Sequence, residues 1–244
     1  MDRRGELLGW EAIGRVDTGH GYCTGTLIAR DIVLTAAHCL FNTRGQPISA
    51  QTVSFKAGYH HGQQIAHRQV IQWVAPEGFN SKPGAEIDAE LIANDVALLK
   101  LDRAIVSAEA DPFRVLQGAA AGAKVSVVSY GRGRDEVLSR QAKCSVKGRY
   151  RDGILGFDCD VTFGSSGAPV FIREDGRLRI LSIISGGTAP GEAGSIAYGM
   201  TLPPVVDALM TRLRRDAALP KASAGAKRIS VGGGNNTGAK FVRP

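Results

Sequence analysis

The chain has little that would place it in a specialised class. No apolar run among its 244 residues approaches the ~20 needed to cross a bilayer as a helix, so no helical membrane span is expected. The opening MDRRGELLGWEAIG lacks the uninterrupted apolar stretch of an export signal, and none is read there. Cysteine is scarce, with four residues and no C-x2-C pair, which removes the commonest zinc-site spacing. Charge of one sign is also missing from most of the chain, because residues 1–211 carry 22 basic and 22 acidic side chains. The whole net charge of +7 lies in residues 212–244, where Arg212, Arg214, Arg215, Lys221, Lys227, Arg228, Lys240 and Arg243 face Asp216 alone. A basic face on the folded part, and with it a nucleic-acid partner, is therefore not expected.

What is present is a series of short apolar or alternating runs with turn residues between them: CTGTLIA, DIVLTAA, TVSFKAG, RQVIQWV, DVALLKL, KVSVVSYG, KCSVKGRY, APVFI, LRILSIISGG and SIAYGMTL. Such spacing predicts an all-β sandwich or a pair of barrels, and no helix-period segment separates the runs as a parallel α/β sheet would need. One helix is expected at about 204–218, in LPPVVDALMTRLRRDAAL, with Val205, Val206, Leu209 and Leu213 on one face and arginines in the last turn. The small-residue segment AEADPFRVLQGAAAGA interrupts the strand series near 106–123 and reads as the crossing between two halves. Residues 220–244 read as a basic, flexible tail. The alternative there is a hairpin, since Ile229, Val231, Phe241 and Val242 flank a Gly-Asn turn.

The four cysteines fall as two near pairs, Cys23 with Cys39 and Cys144 with Cys159. Three connectivities are open to them. The local one closes two loops of about 15 residues, each worth about 3 kcal/mol in the chain-entropy model. Bridges of that kind need an oxidising compartment, so an extracytoplasmic (periplasmic or secreted) location is expected, whereas four free thiols would suit the cytosol.

Chemistry enters at FGSSGAPVF, residues 163–171, where two adjacent serines sit in a turn of glycine and proline. Upstream, LTAAHCL places His38 just after an apolar strand, and NDVALLKL places Asp95 at the start of another. A hydroxyl, a base and a carboxylate that orients the base are the parts needed to attack a carbonyl carbon. In that order, CTGTLIARDIVLTAAHC, NDVALLKL and GSSGAP resemble the T-A-A-H-C, D-[IV]-A-L-L and G-x-S-G-[GA]-P motifs of the chymotrypsin/trypsin-like serine proteases, over about residues 10–205. The resemblance implies two six-stranded antiparallel β-barrels with the active site between them, within a protease domain over 1–219. It implies a serine endopeptidase acting on polypeptide without a cofactor or metal. Ser166 would be the nucleophile, His38 the general base and Asp95 the orienting carboxylate, with the N–H groups of Gly164 and Ser166 as the oxyanion hole. Ser165 takes the x of the motif, where trypsin and its animal relatives keep an aspartate that pairs with a freshly cut N-terminus. AIGRVDTGHGYC carries no I-V-G-G type start either, so the chain looks closer to the bacterial trypsin-like and glutamyl-endopeptidase-like branch.

By the same resemblance Asp160 stands where a carboxylate would receive Lys or Arg in the specificity pocket. Ile196 aligns where that pocket needs glycine, and Ser185 and Gly187 become candidates for pairing with the substrate main chain. His60, His61 and His67 form a cluster in GYHHGQQIAH that lacks cysteine or carboxylate at ligand spacing and is read as an exposed loop. The competing class is a protease fold without turnover that binds a partner. Its expected mark would be a substituted His, Asp or Ser.

Overall fold

In the computed structural model, residues 1, 3–81, 88–116, 123–188 and 194–218 are described. Six strands, β1 (Ile13–Asp17), β2 (Tyr22–Ala29), β3 (Ile32–Thr35), β4 (Ser54–Ala57), β5 (Ala66–Val74) and β6 (Ala97–Leu101), form a closed antiparallel barrel in the order β1-β2-β3-β6-β5-β4. Its interior is filled by Val16, Leu27, Val33, Phe55, Leu99 and Leu101, all essentially inaccessible to solvent. The small residues are placed by this crowding. A Cβ on Gly25 would sit 2.7 Å from both Val16 Cγ2 and Val33 Cγ1.

The second half contains β7 (Lys124–Ser129), β8 (Ser139–Arg149), β9 (Ile154–Phe157), β10 (Pro169–Glu174), β11 (Arg177–Ile183), β12 (Gly186–Gly187) and β13 (Ala197–Met200), in the order β11-β10-β7-β8-β9-β13-β12. The all-β, two-barrel architecture expected from the motifs is thus present, with the difference that this half is a seven-stranded sheet whose ladder stays open between β11 and β12. Beyond β11 the pairing runs on at Ile184, whose carbonyl accepts from Gly167 N–H (2.7 Å) and whose N–H donates to Ala168 O (2.9 Å), and Ser185 N–H then donates to Tyr198 O (2.9 Å) on β13.

A second apolar cluster joins the halves, with Ile13, Leu34 and Leu98 from the barrel meeting Val128, Tyr130, Leu138, Phe171 and Ile180 from the sheet. Polar contacts close the same seam, where Glu136 accepts from Tyr59 Oη (2.9 Å) and Arg15 Nη1 (3.4 Å). The expected terminal helix is α2 (Pro203–Ala218), which follows a six-residue helix, α1 (Ala89–Asn94). Val206, Leu209 and Leu213 of α2 are buried, and the helix lies against β5 and β6, tied by Arg212 Nη1 donating to Ala75 O (2.9 Å). The cysteines pair locally, Cys23 with Cys39 and Cys144 with Cys159. The expectations for residues 220–244, tail or hairpin, lie outside the described residues, as do residues 117–122 of the crossing.

Candidate active site

His38 sits in a single 3-10 turn, Ala37–Leu40, directly after β3. The turn is held from below by buried Ala37 and Leu40 and from the side by the Cys39 bridge to β2, so the imidazole projects from a fixed backbone. Asp95 ends α1, whose start is capped by Asp88 Oδ1 accepting from Leu91 N–H (2.6 Å). Seven residues after this cap and two before β6 begins, Asp95 is only 3% exposed.

Every hydrogen bond of that carboxylate serves one geometry. Asp95 Oδ1 accepts from His38 N–H (2.8 Å), and Oδ2 accepts from His38 Nδ1 (2.7 Å) and from Ser185 Oγ (2.6 Å). A carboxylate is an acceptor only, so the proton lies on Nδ1 and the lone pair on Nε2. Burial alone would lower the imidazole pKa. The charge of Asp95 and its hydrogen bond outweigh burial, and the pKa stands above the ordinary histidine value. Ser185, expected from its position to pair with a substrate backbone, donates its hydroxyl to Asp95, a contact that its sequence context did not reveal.

The two serines are separated by their surroundings. Ser165 is 2% exposed, with its Oγ 3.1 Å from Ser129 Oγ and 3.4 Å from Thr162 N, which donates to it. Ser166 is half-buried on the other side of the turn, and no hydrogen bond of ordinary geometry joins its Oγ to His38 among the described residues. In resting sites of this kind that contact often tightens only once substrate is bound. Proximity is enforced by backbone instead. A Cβ on Gly167, which has φ +76°, would fall on Thr24 O, Thr35 Oγ1 and Ala36 N, so the residue after Ser166 abuts the strand end that leads into His38.

The preceding peptide is oriented just as firmly. Phe163 O accepts from Arg132 N–H (2.7 Å), and in a trans peptide the next N–H, that of Gly164, points the opposite way. Among the described residues nothing accepts from Gly164 N–H or Ser166 N–H, which leaves both donors to a ligand. Gly164 has φ +87°, and a Cβ there would overlap Tyr130 O and the Tyr22 ring.

Thr24, next to Cys23 and absent from the expected site, ties these pieces together. Its N–H donates to Ser166 O (2.9 Å), its Oγ1 donates to Gly164 O (2.9 Å) and accepts from Tyr130 N–H (3.0 Å), and its carbonyl accepts from Thr35 Oγ1 (2.9 Å). Thr24 is fully buried. A threonine in a strand is ordinarily a β-former, and no motif spacing distinguishes this one.

Among the described residues, the candidate specificity positions stand in different surroundings. Gly187 lies in β12 and pairs with Ala197, not with Ile196, so the small side chain stands opposite it. Ile196 turns elsewhere, its Cγ2 3.3 Å from where a Cβ on Gly156 would be. Val161 Cγ2 approaches Gly187 from the remaining side. Asp160 is exposed, its N–H donates to Gln141 Oε1 (2.7 Å), and it lines a separate cavity of about 530 Å³ in which neither Ser185 nor Gly187 takes part. Among the described residues, His38 has one possible metal-ligating group beside it, Cys23 and Cys39, whose sulfurs are bonded to each other and are not thiolates. His61 and His67 are exposed and His60 is half-buried, with His67 on β5 and not in the loop.

A closed barrel and a second sheet, with a buried Asp–His pair and a glycine-braced serine turn at their seam, define the class of two-barrel serine peptidases. The family model of the trypsin-like peptidase domain matches residues 23–179, and the chain belongs to that family. It is 34% identical over 82 residues to granzyme-like protein 2 of Rattus norvegicus, covering 34% of this chain and 27% of that protein. With duodenase-1 of Bos taurus it shares 33% over 114 residues, 45% of this chain and 40% of that protein. The matched stretches therefore span less than half the length of these relatives. Among solved structures, a Glu endopeptidase superposes with a TM-score of 0.68 at 20% identity over 84% of this chain and 91% of its own. A thermostable serine protease from an extremophilic microorganism gives 0.66 at 18% identity, over 83% and 96%. At those identities the likeness is one of fold.

Proposed function

We propose that the protein is a serine endopeptidase that hydrolyses peptide bonds through an acyl-enzyme on Ser166. His38 takes the Ser166 proton through Nε2 and returns it to the leaving amine. Asp95 holds the ring in the tautomer this needs and stabilises the imidazolium that forms. Gly164 and Ser166 N–H receive the oxyanion, a contribution of roughly 3–4 kcal/mol for one such donor in a comparable protease. The observation that carries the reading is the grip of Asp95: a carboxylate buried to 3%, spending both oxygens on His38 and Ser185, fits a base-orienting role better than a structural one. The Ser185 carbonyl, with no partner among the described residues, and Gly187 on the adjoining edge strand would take the extended substrate by strand addition. Gly187, Ala197 and Val161 would leave a small apolar wall beside it. Two disulfides favour an extracytoplasmic location.

The test is labelling of the full chain with a fluorophosphonate, followed by peptide mapping. Modification of Ser166 and loss of ester and peptide hydrolysis in Ser166→Ala are expected. Label on Ser165, or full activity in Ser166→Ala, would overturn the assignment.

A further inference from the structure

The cavity of about 530 Å³ next to Ser165 is no part of the substrate path described above. Its walls come from three places: the turn after β7 (Gly131, Arg132, Arg134), the start of β8 (Ser139, Arg140, Gln141) and the segment that carries Asp160, Thr162 and Ser165. Three arginines and one carboxylate residue, Asp160, contribute to the lining, although Arg140 is paired with Val128 and carries its guanidinium over Trp10 on the other face of β8. Among the described residues Arg132, Arg134 and Arg140 make no ion pair, and their side chains donate no hydrogen bond. Two of them are nevertheless ordered by stacking, Arg132 Cζ at 4.2 Å from the Phe163 ring centroid and Arg140 Cζ at 5.0 Å from that of Trp10. A stacked guanidinium keeps its N–H edge free for in-plane, bidentate binding of an oxyanion. The inner surface adds hydroxyls, and one of them, Ser139 Oγ, is buried without a hydrogen-bond partner. A buried hydroxyl left unsatisfied is costly and calls for a ligand or water.

We propose that this cavity is a binding site for a small, multiply charged oxyanion of the polycarboxylate or phosphate type, and that its occupancy steadies the oxyanion-hole turn. The coupling is geometric. Arg132, which stacks on Phe163, also supplies the N–H that holds the Phe163 carbonyl, and Arg134 N–H closes the same turn on Gly131 O (2.9 Å). An anion held by Arg132 and Arg134 and accepting from Ser139 Oγ would fix this turn against β8, and with it the direction of Gly164 N–H. The second half of the proposal rests on the catalytic reading of Ser166; the binding half does not.

Binding is tested on the full chain carrying Ser166→Ala, by calorimetric titration with citrate and with inorganic phosphate at constant ionic strength set by chloride. Saturable one-to-one binding of either is expected, at least tenfold weaker in Arg132→Ala/Arg134→Ala and unaltered in Arg173→Ala, which lies outside the cavity. The citrate and phosphate arms distinguish which anion class the site prefers. No saturable heat with either anion, or equal weakening by Arg173→Ala, would overturn the site. In the chain with Ser166 intact, the bound anion should raise kcat on a small ester with KM little changed. Binding without any change in kcat would overturn the coupling to the turn. If no hydrolysis is detectable at all, the catalytic reading fails while the titration still decides the site.

Discussion

Ser165 and Ser166 differ by one residue and by the whole of their environment. Ser165→Ala removes a buried hydroxyl held by Ser129 and Thr162 N–H, so it is expected to lower thermal stability by about 1 kcal/mol while hydrolysis persists. Melting curves beside ester kinetics separate it from Ser166→Ala. For His38 the raised pKa sets a sign. The base works when neutral, so kcat/KM should rise with pH through an inflection above 6.5, and Asp95→Asn should move that inflection down and lower kcat by about 10⁴-fold. Stability runs the other way. A histidine whose folded pKa is raised stabilises the fold fully below its unfolded value, and that contribution is lost as pH rises through the folded one. Thr24→Val keeps the shape and strands two buried partners, Gly164 O and Tyr130 N–H. The expected cost is about 1–3 kcal/mol, read as a lower melting temperature together with a lower kcat, since Gly164 loses a restraint.

At the scale of elements, legibility followed local chemistry. Runs such as DIVLTAA and DVALLKL announced β3 and β6 because apolar residues dominate them, Thr35 and Lys100 being the polar residues within the strands. β1 (IGRVD) and β9 (ILGF) escaped notice, being short, interrupted by glycine and stabilised by partners far away in the chain. His38 and Asp95 were legible through the motifs around them. The tasks of Ser185 and Thr24 were not, because a hydroxyl's partner is set by packing across the seam and leaves no spacing in sequence. The disulfides act at this scale as well. Each closes a loop of about 15 residues, and replacing Cys23 and Cys39 together by alanine should cost about 3 kcal/mol and also reduce turnover, since that bridge braces the His38 turn. Replacing Cys144 and Cys159 should cost a similar stability with a smaller effect on kcat, and denaturant melts beside initial rates check both pairs.

For the whole molecule, charge and catalysis occupy different parts of the chain. Truncation after Leu219 removes five basic side chains and no acidic one, taking the formal charge from +7 to +2. The shortened protein should elute earlier from a cation-exchange resin and hydrolyse a small ester at its former rate; a large loss of activity would mean that the segment docks on the domain or on its substrate.

Thr24 and Gly167 also bear on time. During synthesis the turn holding His38 and the helix end holding Asp95 leave the ribosome at least about seventy residues before Ser166, and domains made first can fold first. The serine turn, however, takes its shape from hydrogen bonds donated by the earlier barrel, and its glycine fits only against that barrel's finished strand end. Ser166, the proposed nucleophile, would therefore acquire its geometry only after that barrel has closed. On the proposed reading, a ribosome-bound or half-folded chain would carry the chemical groups of a hydrolase without the geometry to cut its neighbours.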